Sequence, residues 1–258
     1  MAETGKEFEE LMQLVARLRA EDGCPWDRQQ TPATVKNYLL EEAYEVVDAV
    51  EHHPPDHVKE ELGDLVFMAI FLAHLYQEQG HFHMDQVLRR TAVKMIRRHP
   101  HVFGDRKVDS AWQVRQTWEE VKSQERPGST PLGTILGEVP PALPALMRSC
   151  RILSRLRHRL GRTLRQDIIR NHLDQSFSSL LEQDFTHDGQ MLSATLGKVL
   201  LLLVALTLTA DLNAEEALTR TLESFCEQVS RMEASFGEKG RDWQDLSEAE
   251  EQSFWEEF

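Results

Sequence analysis

The sequence predicts an all-α protein of two tandem, related helical bundles joined by a Pro/Gly-rich linker, and three observations carry that prediction. Apolar residues recur at three- and four-residue spacing along most of the 258-residue chain, and no run alternates apolar with polar as a half-buried strand would. Prolines and glycines gather at 126–145 (Pro127, Gly128, Pro131, Gly133, Gly137, Pro140, Pro141 and Pro144) and divide the chain into 1–125 and 146–258. The second part faintly echoes the first. Leu62-Gly63-Asp64-Leu65-Val66 returns as Leu196-Gly197-Lys198-Val199-Leu200, 134 residues on, and Phe103-Gly104-Asp105 as Phe236-Gly237-Glu238, 133 on. Trp118-Glu119-Glu120-Val121 returns as Trp255-Glu256-Glu257-Phe258.

Phe8, Leu11, Leu14, Val15 and Leu18 mark an amphipathic helix over 6–20 that stops before Asp22-Gly23. In the turn Gly23-Cys24-Pro25-Trp26-Asp27, Trp26 either packs or offers a surface for a ligand. Thr31-Pro32 reads as the N-cap and first residue of a helix whose apolar face is Leu39, Ala43, Val46, Val47 and Val50. His52-His53-Pro54-Pro55 breaks that helix, since proline cannot continue it, and Asp56 reads as the N-cap of the next. Leu62, Leu65, Val66, Ala69 and Ala73 form the face expected to be buried there, and the helix ends near Gln79-Gly80. Asp85 is the expected cap of a helix from Gln86 to Arg98, and 111–125 form another bearing Trp118 and Lys122. The most hydrophobic run, Val199 to Ala210, has 12 residues, short of the roughly 20 that span a bilayer, and reads as a buried core helix.

The chemistry concentrates in Glu41-Glu42-x-x-Glu45 and Glu60-Glu61-x-x-Asp64. At about 100° per residue, Glu42 and Glu45 border the apolar face of one helix as Glu61 and Asp64 border that of the next. Folding the two helices back on the Pro-Pro turn brings the four carboxylates to one level of an αα-hairpin. Half-buried carboxylates repel one another unless a cation sits among them, and oxygen-only donors select Mg²⁺ or Mn²⁺ over zinc. A di-iron bundle would require Glu-x-x-His, which neither cluster has. Lys94, Arg97 and Arg98 form the first basic cluster in an acidic chain; they either complement a helix C-terminus or hold phosphates. In the second half Glu61 and Asp64 fall on Thr195 and Lys198, and Glu42 and Glu45 on Gln175 and Ser178, so this copy has lost its acids.

A formal net charge of −14 argues against a general nucleic-acid or membrane-surface binder. Cys24, Cys150 and Cys226 lack metal spacing and fit a reducing cytoplasm, and Met1 to Glu10 lacks the apolar core of a signal peptide.

With these motifs in place, the chain resembles the MazG nucleoside triphosphate pyrophosphohydrolases of the all-α NTP pyrophosphatase superfamily. The likeness rests on Gly23-Cys24-Pro25-Trp26-Asp27, the Tyr38 to Glu45 stretch, Glu60-Glu61-Leu62-Gly63-Asp64-Leu65 and Arg97-Arg98-His99-Pro100-His101-Val102-Phe103. It implies Mg²⁺-dependent hydrolysis of nucleoside triphosphates to monophosphate and pyrophosphate by a homodimer. It also implies metal ligation by Glu42, Glu45, Glu61 and Asp64, and nucleotide contacts from Lys94, Arg98, Trp118 and Lys122, with Arg97 beside them. Trp26 or Trp118 would then stack on the base, and Glu41 or Glu60 would accept a proton from the attacking water. The alternative is a nucleotide- or metal-binding partner protein without turnover.

Overall fold

The computed structural model describes residues 2–125, 130–182, 189–238 and 240–257, and all regular secondary structure among them is helical. The chain divides into two compact units, Met1–Ser123 and Gln124–Phe258.

The first unit contains α1 (Ala2–Arg19), α2 (Pro25–Gln29), α3 (Pro32–His52), α4 (Pro55–Glu78), α5 (Met84–Arg98), α6 (Pro100–Phe103) and α7 (Ala111–Gln124). Thr31 caps α3 as its sequence predicts: its hydroxyl accepts from Thr34 N at 3.3 Å, and Thr34 Oγ1 accepts from Thr31 N at 2.9 Å. Two expected caps move. Pro54 is the extended residue before α4, because the fixed φ of Pro55 suits the first helical position. Asp56 therefore lies inside the first turn and pairs with Lys59 at 2.7 Å. Likewise His83 precedes α5, its N–H donating to Gln86 Oε1 at 2.8 Å, and Asp85 falls in the first turn, where its charge still favours the helix N-terminus.

The core is built from Val15 of α1, Val35 of α3, and Ile70, Phe71, Ala73 and Leu75 of α4, closed by Met84. It occupies the half of the α3–α4 pair remote from the Pro-Pro turn, because that is where α1 packs on α4. The apolar faces expected to be buried nearer the turn are not: Val47, Val50, Leu62 and Val66 are 41 to 64% exposed. Two helices bury only the seam between them, and among the described residues no third element of this unit covers that side.

The second unit contains α8 (Leu132–Gly137), α9 (Ala145–Leu160), α10 (Gln166–Leu181), α11 (Gly189–Thr209), α12 (Ala214–Glu238), a 3₁₀ turn (Trp243–Asp245) and α13 (Glu248–Glu257). Much of the composition-defined linker belongs to this unit. Its helix α8 packs on α9, Val139 is 1% exposed, and the Arg155 guanidinium donates to the Ile135 carbonyl. Pro127 and Gly128 lie outside the described residues.

The repeat is visible in burial. Val35, Leu39 and Val46 of α3 match Ile169, Leu173 and Leu180 of α10, and Leu65, Ile70 and Phe71 of α4 match Val199, Val204 and Ala205 of α11, all 134 residues apart. That register places Glu42 and Glu45 on Ser176 and Ser179, not on Gln175 and Ser178, since a one-residue slip would set exposed positions against buried ones. The Phe103/Phe236 echo does not carry over in burial: Phe103 is exposed on one-turn α6, whereas Phe236 is buried on α12 against Trp243. In the Trp255 echo, Phe258 lies outside the described residues.

The expected buried core helix is a 21-residue α11 with a mean hydropathy of 2.1 over its apolar window, of which only 17% is buried. By length and composition it could cross a membrane. Here α9 and α10 cover one side of it, leaving Leu196, Leu200 and Leu203 exposed.

Candidate active site

Glu42 and Glu45, three residues apart on α3, meet Glu61 of α4, and one carboxylate oxygen from each lies within 4.8 Å of the other two. Asp64 stands one turn beyond Glu61 and is exposed; it is not part of this trio, but its charge reaches both Glu42 and Glu61. Burial, then the charges of Glu45, Asp64 and Glu61, together with a hydrogen bond to Glu45, push the Glu42 carboxyl above the usual range. Burial likewise raises Glu61, whose side chain is 12% exposed; His57 opposes the shift, and Glu45, Asp64 and Glu60 add to it. These are carboxylates held together at a cost in repulsion, a donor set that fits a hard divalent cation.

The neighbouring glutamates stand apart from the trio. Glu41 is exposed on α3, and Glu60 is exposed with its carboxylate 3.6 Å from His57 Nδ1. The other nitrogen of His57 lies 3.4 Å from Glu61 Oε1, and the His53 ring meets His57 edge-on at 4.5 Å. His57 was not among the residues expected from sequence, although i, i+4 spacing from Glu61 puts the two side by side.

A cavity of about 120 Å³ is lined by Trp26, Gln30, Val35, Tyr38, Met68 and Phe71, among others. Tyr38 and Met68 stand one turn, about 6 Å of helix rise, from Glu42 and Asp64 respectively. The cavity and the carboxylates are thus successive levels of the same helix pair. Trp26, 63% exposed at the cavity, sits in α2. Gly23 opens the loop to α2, where a Cβ would run into the carbonyls of Arg17 and Leu18. Arg19 holds the loop from below. Its guanidinium donates to the Asp27 carbonyl and to that of Gln30 at 3.3 Å, and lies 5.7 Å from the Phe71 ring.

The basic and aromatic residues form a second group. Lys94 is half-buried on α5, Arg97 is exposed, and the Arg98 guanidinium lies 5.3 Å from the Trp118 ring. His99 meets Trp118 edge-on at 4.8 Å, so the indole is already engaged on α7 by two residues of the Arg98-His99 corner. Lys122 is paired with Glu119 at 3.5 Å.

Residues 30–103, which span the carboxylates and most of the cavity, match the MazG nucleotide pyrophosphohydrolase domain. Over 257 residues, 99% of this chain and 97% of its relative, the sequence is 32% identical to the nucleoside triphosphate pyrophosphohydrolase/pyrophosphatase MazG of Thermotoga maritima. The chain belongs to the MazG family. A nucleoside triphosphate pyrophosphohydrolase of Escherichia coli K12 is 41% identical over 150 residues, 58% of this chain and 57% of that protein. The crystal structure of a MazG-related protein from Thermotoga maritima aligns with 45% of this chain and 98% of its own, at 26% identity and a TM-score of 0.40.

Within this MazG chain the family match falls in the first unit, where the acids are retained. In the second unit the equivalent positions are Ser176, Ser179, Thr195 and Lys198, a set that cannot hold a divalent cation.

Proposed function

We propose that the chain hydrolyses nucleoside triphosphates to monophosphate and pyrophosphate at the first unit, with Mg²⁺ held by Glu42, Glu45, Glu61 and Asp64. The observation that carries this reading is the meeting of three carboxylates from two helices within 4.8 Å, one turn from an apolar cavity flanked by Trp26. Mg²⁺, or Mn²⁺ in its place, would supply charge withdrawal from the phosphoryl oxygens and a more acidic water. The chain's own groups do the rest. Trp26 and Tyr38 take the base, so that the phosphates run along the helix pair toward the carboxylates. Lys94, Arg97, Arg98 and Lys122 are the cations assigned to the β- and γ-phosphates and to the charge that develops on pyrophosphate, Lys122 exchanging its pairing with Glu119 for the ligand. Glu60, already beside His57, or Glu41 accepts the water's proton.

Trp118 is the weaker of the two base-stacking candidates, because its ring already meets Arg98 and His99, whereas Trp26 is open at the cavity. The exposed Val47, Val50, Leu62 and Val66 support a homodimer in which a second copy covers that face. A cytoplasmic location, with the nucleotide pool, belongs to the same reading.

Product analysis tests it. Purified protein is incubated with ribo- and deoxynucleoside triphosphates in Mg²⁺ or EDTA, and monophosphate, diphosphate, pyrophosphate and phosphate are separated. Mg²⁺-dependent monophosphate with pyrophosphate is the expected pair. Diphosphate with phosphate, or binding without turnover, would overturn the assignment.

A further inference from the structure

The second unit has its own cavity, of about 260 Å³, beneath the connection from α9 to α10. It overlaps, at the end away from the carboxylate level, the place in the repeat that the Trp26 cavity holds in the first. Ile169, Ala205 and Leu164 line it, and 134 residues earlier Val35, Phe71 and Gln30 line the other. The exchange of Phe71 for Ala205 removes an aromatic ring from the wall, in keeping with a volume roughly twice the 120 Å³ of the first cavity.

The rim has also changed sign. Gly161 ends α9 in the left-handed conformation, at φ 62°, and turns Arg162 to Arg165 across the cavity. Arg165 is engaged by Asp167, at 3.2 Å through Nε, so its charge is already met. Arg162 makes no ion pair among the described residues, and Arg157 and Arg159 add positive charge in the last turn of α9. At the level of the lost acids, the Ser176 hydroxyl is buried, 4% exposed, and has no hydrogen-bond partner among the described residues.

We infer that this cavity is a second nucleotide site, one that takes its ligand without a divalent cation. The apolar pocket receives the base and Arg162 receives the phosphate. Where the first unit needs a metal between carboxylates and phosphates, the second offers the Arg162 guanidinium directly. The inference rests on reading the first cavity as a base pocket, and it adds a binding function to the half that has no metal ligands.

The test uses the full chain, with ATP and AMP as probes, in EDTA, by isothermal titration calorimetry. Wild type is expected to bind one nucleotide per chain, and Trp26→Ala to leave that binding intact. Arg162→Glu and Ile168→Asp, both at exposed positions where folding is not at stake, should each weaken it about tenfold or more. Arg170→Glu makes the same charge change outside the cavity and should have little effect. The proposal is overturned by absence of binding in EDTA, by binding that Trp26→Ala removes and Arg162→Glu does not, or by equal losses at Arg162 and Arg170. Mg²⁺-dependent pyrophosphate release, measured in parallel on wild type and Arg162→Glu, separates the two readings. If release persists while EDTA binding is absent, only the second site falls; if wild type releases none, the first-unit reading falls independently.

Discussion

Arg19 and Glu78 close a two-point ion pair, Nε to Oε1 at 2.8 Å and Nη2 to Oε2 at 2.6 Å, that ties the end of α1 to the end of α4. The same guanidinium donates to the carbonyls of Asp27, within the Trp26 helix, and of Gln30 at its C-terminal end. One side chain thus fixes both the wall and the flap of the cavity. A planar fork is required for this, since an ammonium cannot meet a carboxylate edge and two carbonyls together.

Arg19→Lys is therefore expected to loosen the Trp26 loop and raise KM several-fold with a smaller change in kcat, because the proposed function sets the loop against the base and not the reacting phosphorus. Arg19→Ala should also cost roughly 1–2 kcal/mol of stability, between the limits for exposed and buried pairs. Steady-state kinetics and urea melts check both. Equal falls in kcat and kcat/KM with KM unchanged would mean that Arg19 acts on the chemical step instead.

The same pair predicts an acid response. The Arg19 hydrogen bond, chiefly, holds Glu78 below its ordinary value of 4.5. A carboxyl depressed in the folded state contributes stability that is present above its ordinary pKa and lost as pH falls toward the folded value. Wild type and Glu78→Gln should then differ most at neutral pH and converge as pH drops below about 4.5. Melting temperatures over pH 3 to 7 report it. A gap that widens toward acid would show that Glu78 has another role.

Glu42 has the opposite sign. Its carboxyl is raised by burial and by neighbouring charges, so its contribution to stability is present at low pH and lost as pH rises through the folded value. At neutral pH in EDTA, Glu42→Gln should melt higher than wild type; about 1 kcal/mol corresponds to roughly 2–4 °C in a chain of this size. In Mg²⁺ the order should reverse, since only wild type gains the full stabilisation of a bound cation. A lower melting point for Glu42→Gln in both conditions would mean that the carboxylates are not a cation site.

Much of this site was legible in the sequence, and what was not has identifiable causes. Glu42, Glu45 and Glu61 could be placed together because helical angle and the Pro-Pro turn fix them locally. Burial of Val47, Val50, Leu62 and Val66 could not be decided, because an apolar stripe reads the same whether its partner is another helix of the unit or a second molecule. Arg19 escaped notice because its partner is 59 residues away, and no short-range pattern reports such a pair. The one-residue error that set Glu42 against Gln175 arose from echoes at 133 and 134, which only the burial of Ile169, Leu173 and Ser176 separates.

Turnover should depend on the first unit alone. Glu45→Gln and Asp64→Asn each remove a charge from the proposed ligand set and are expected to cost about 10²-fold or more in kcat at saturating Mg²⁺. Thr195 and Lys198 cannot substitute, so no residual Mg²⁺-dependent activity should remain when both substitutions are combined. Near-wild-type turnover in either single variant would remove the site from these helices.

The exposed face gives the last test. Val47 and Val66 are exposed on α3 and α4, and the equivalent Leu181 and Leu200 are exposed on α10 and α11. A stable homodimer needs on the order of 800 Å² from each partner, with an apolar centre depleted of charge. Asp at the centre of such a patch is desolvated without a partner and should dissociate it, whereas on a solvated face it costs little. Val47→Asp with Val66→Asp is therefore expected to halve the mass measured by light scattering, without loss of helical circular dichroism. If the wild type already runs as a monomer, or the double variant keeps its mass, the α3–α4 face is not the contact between copies.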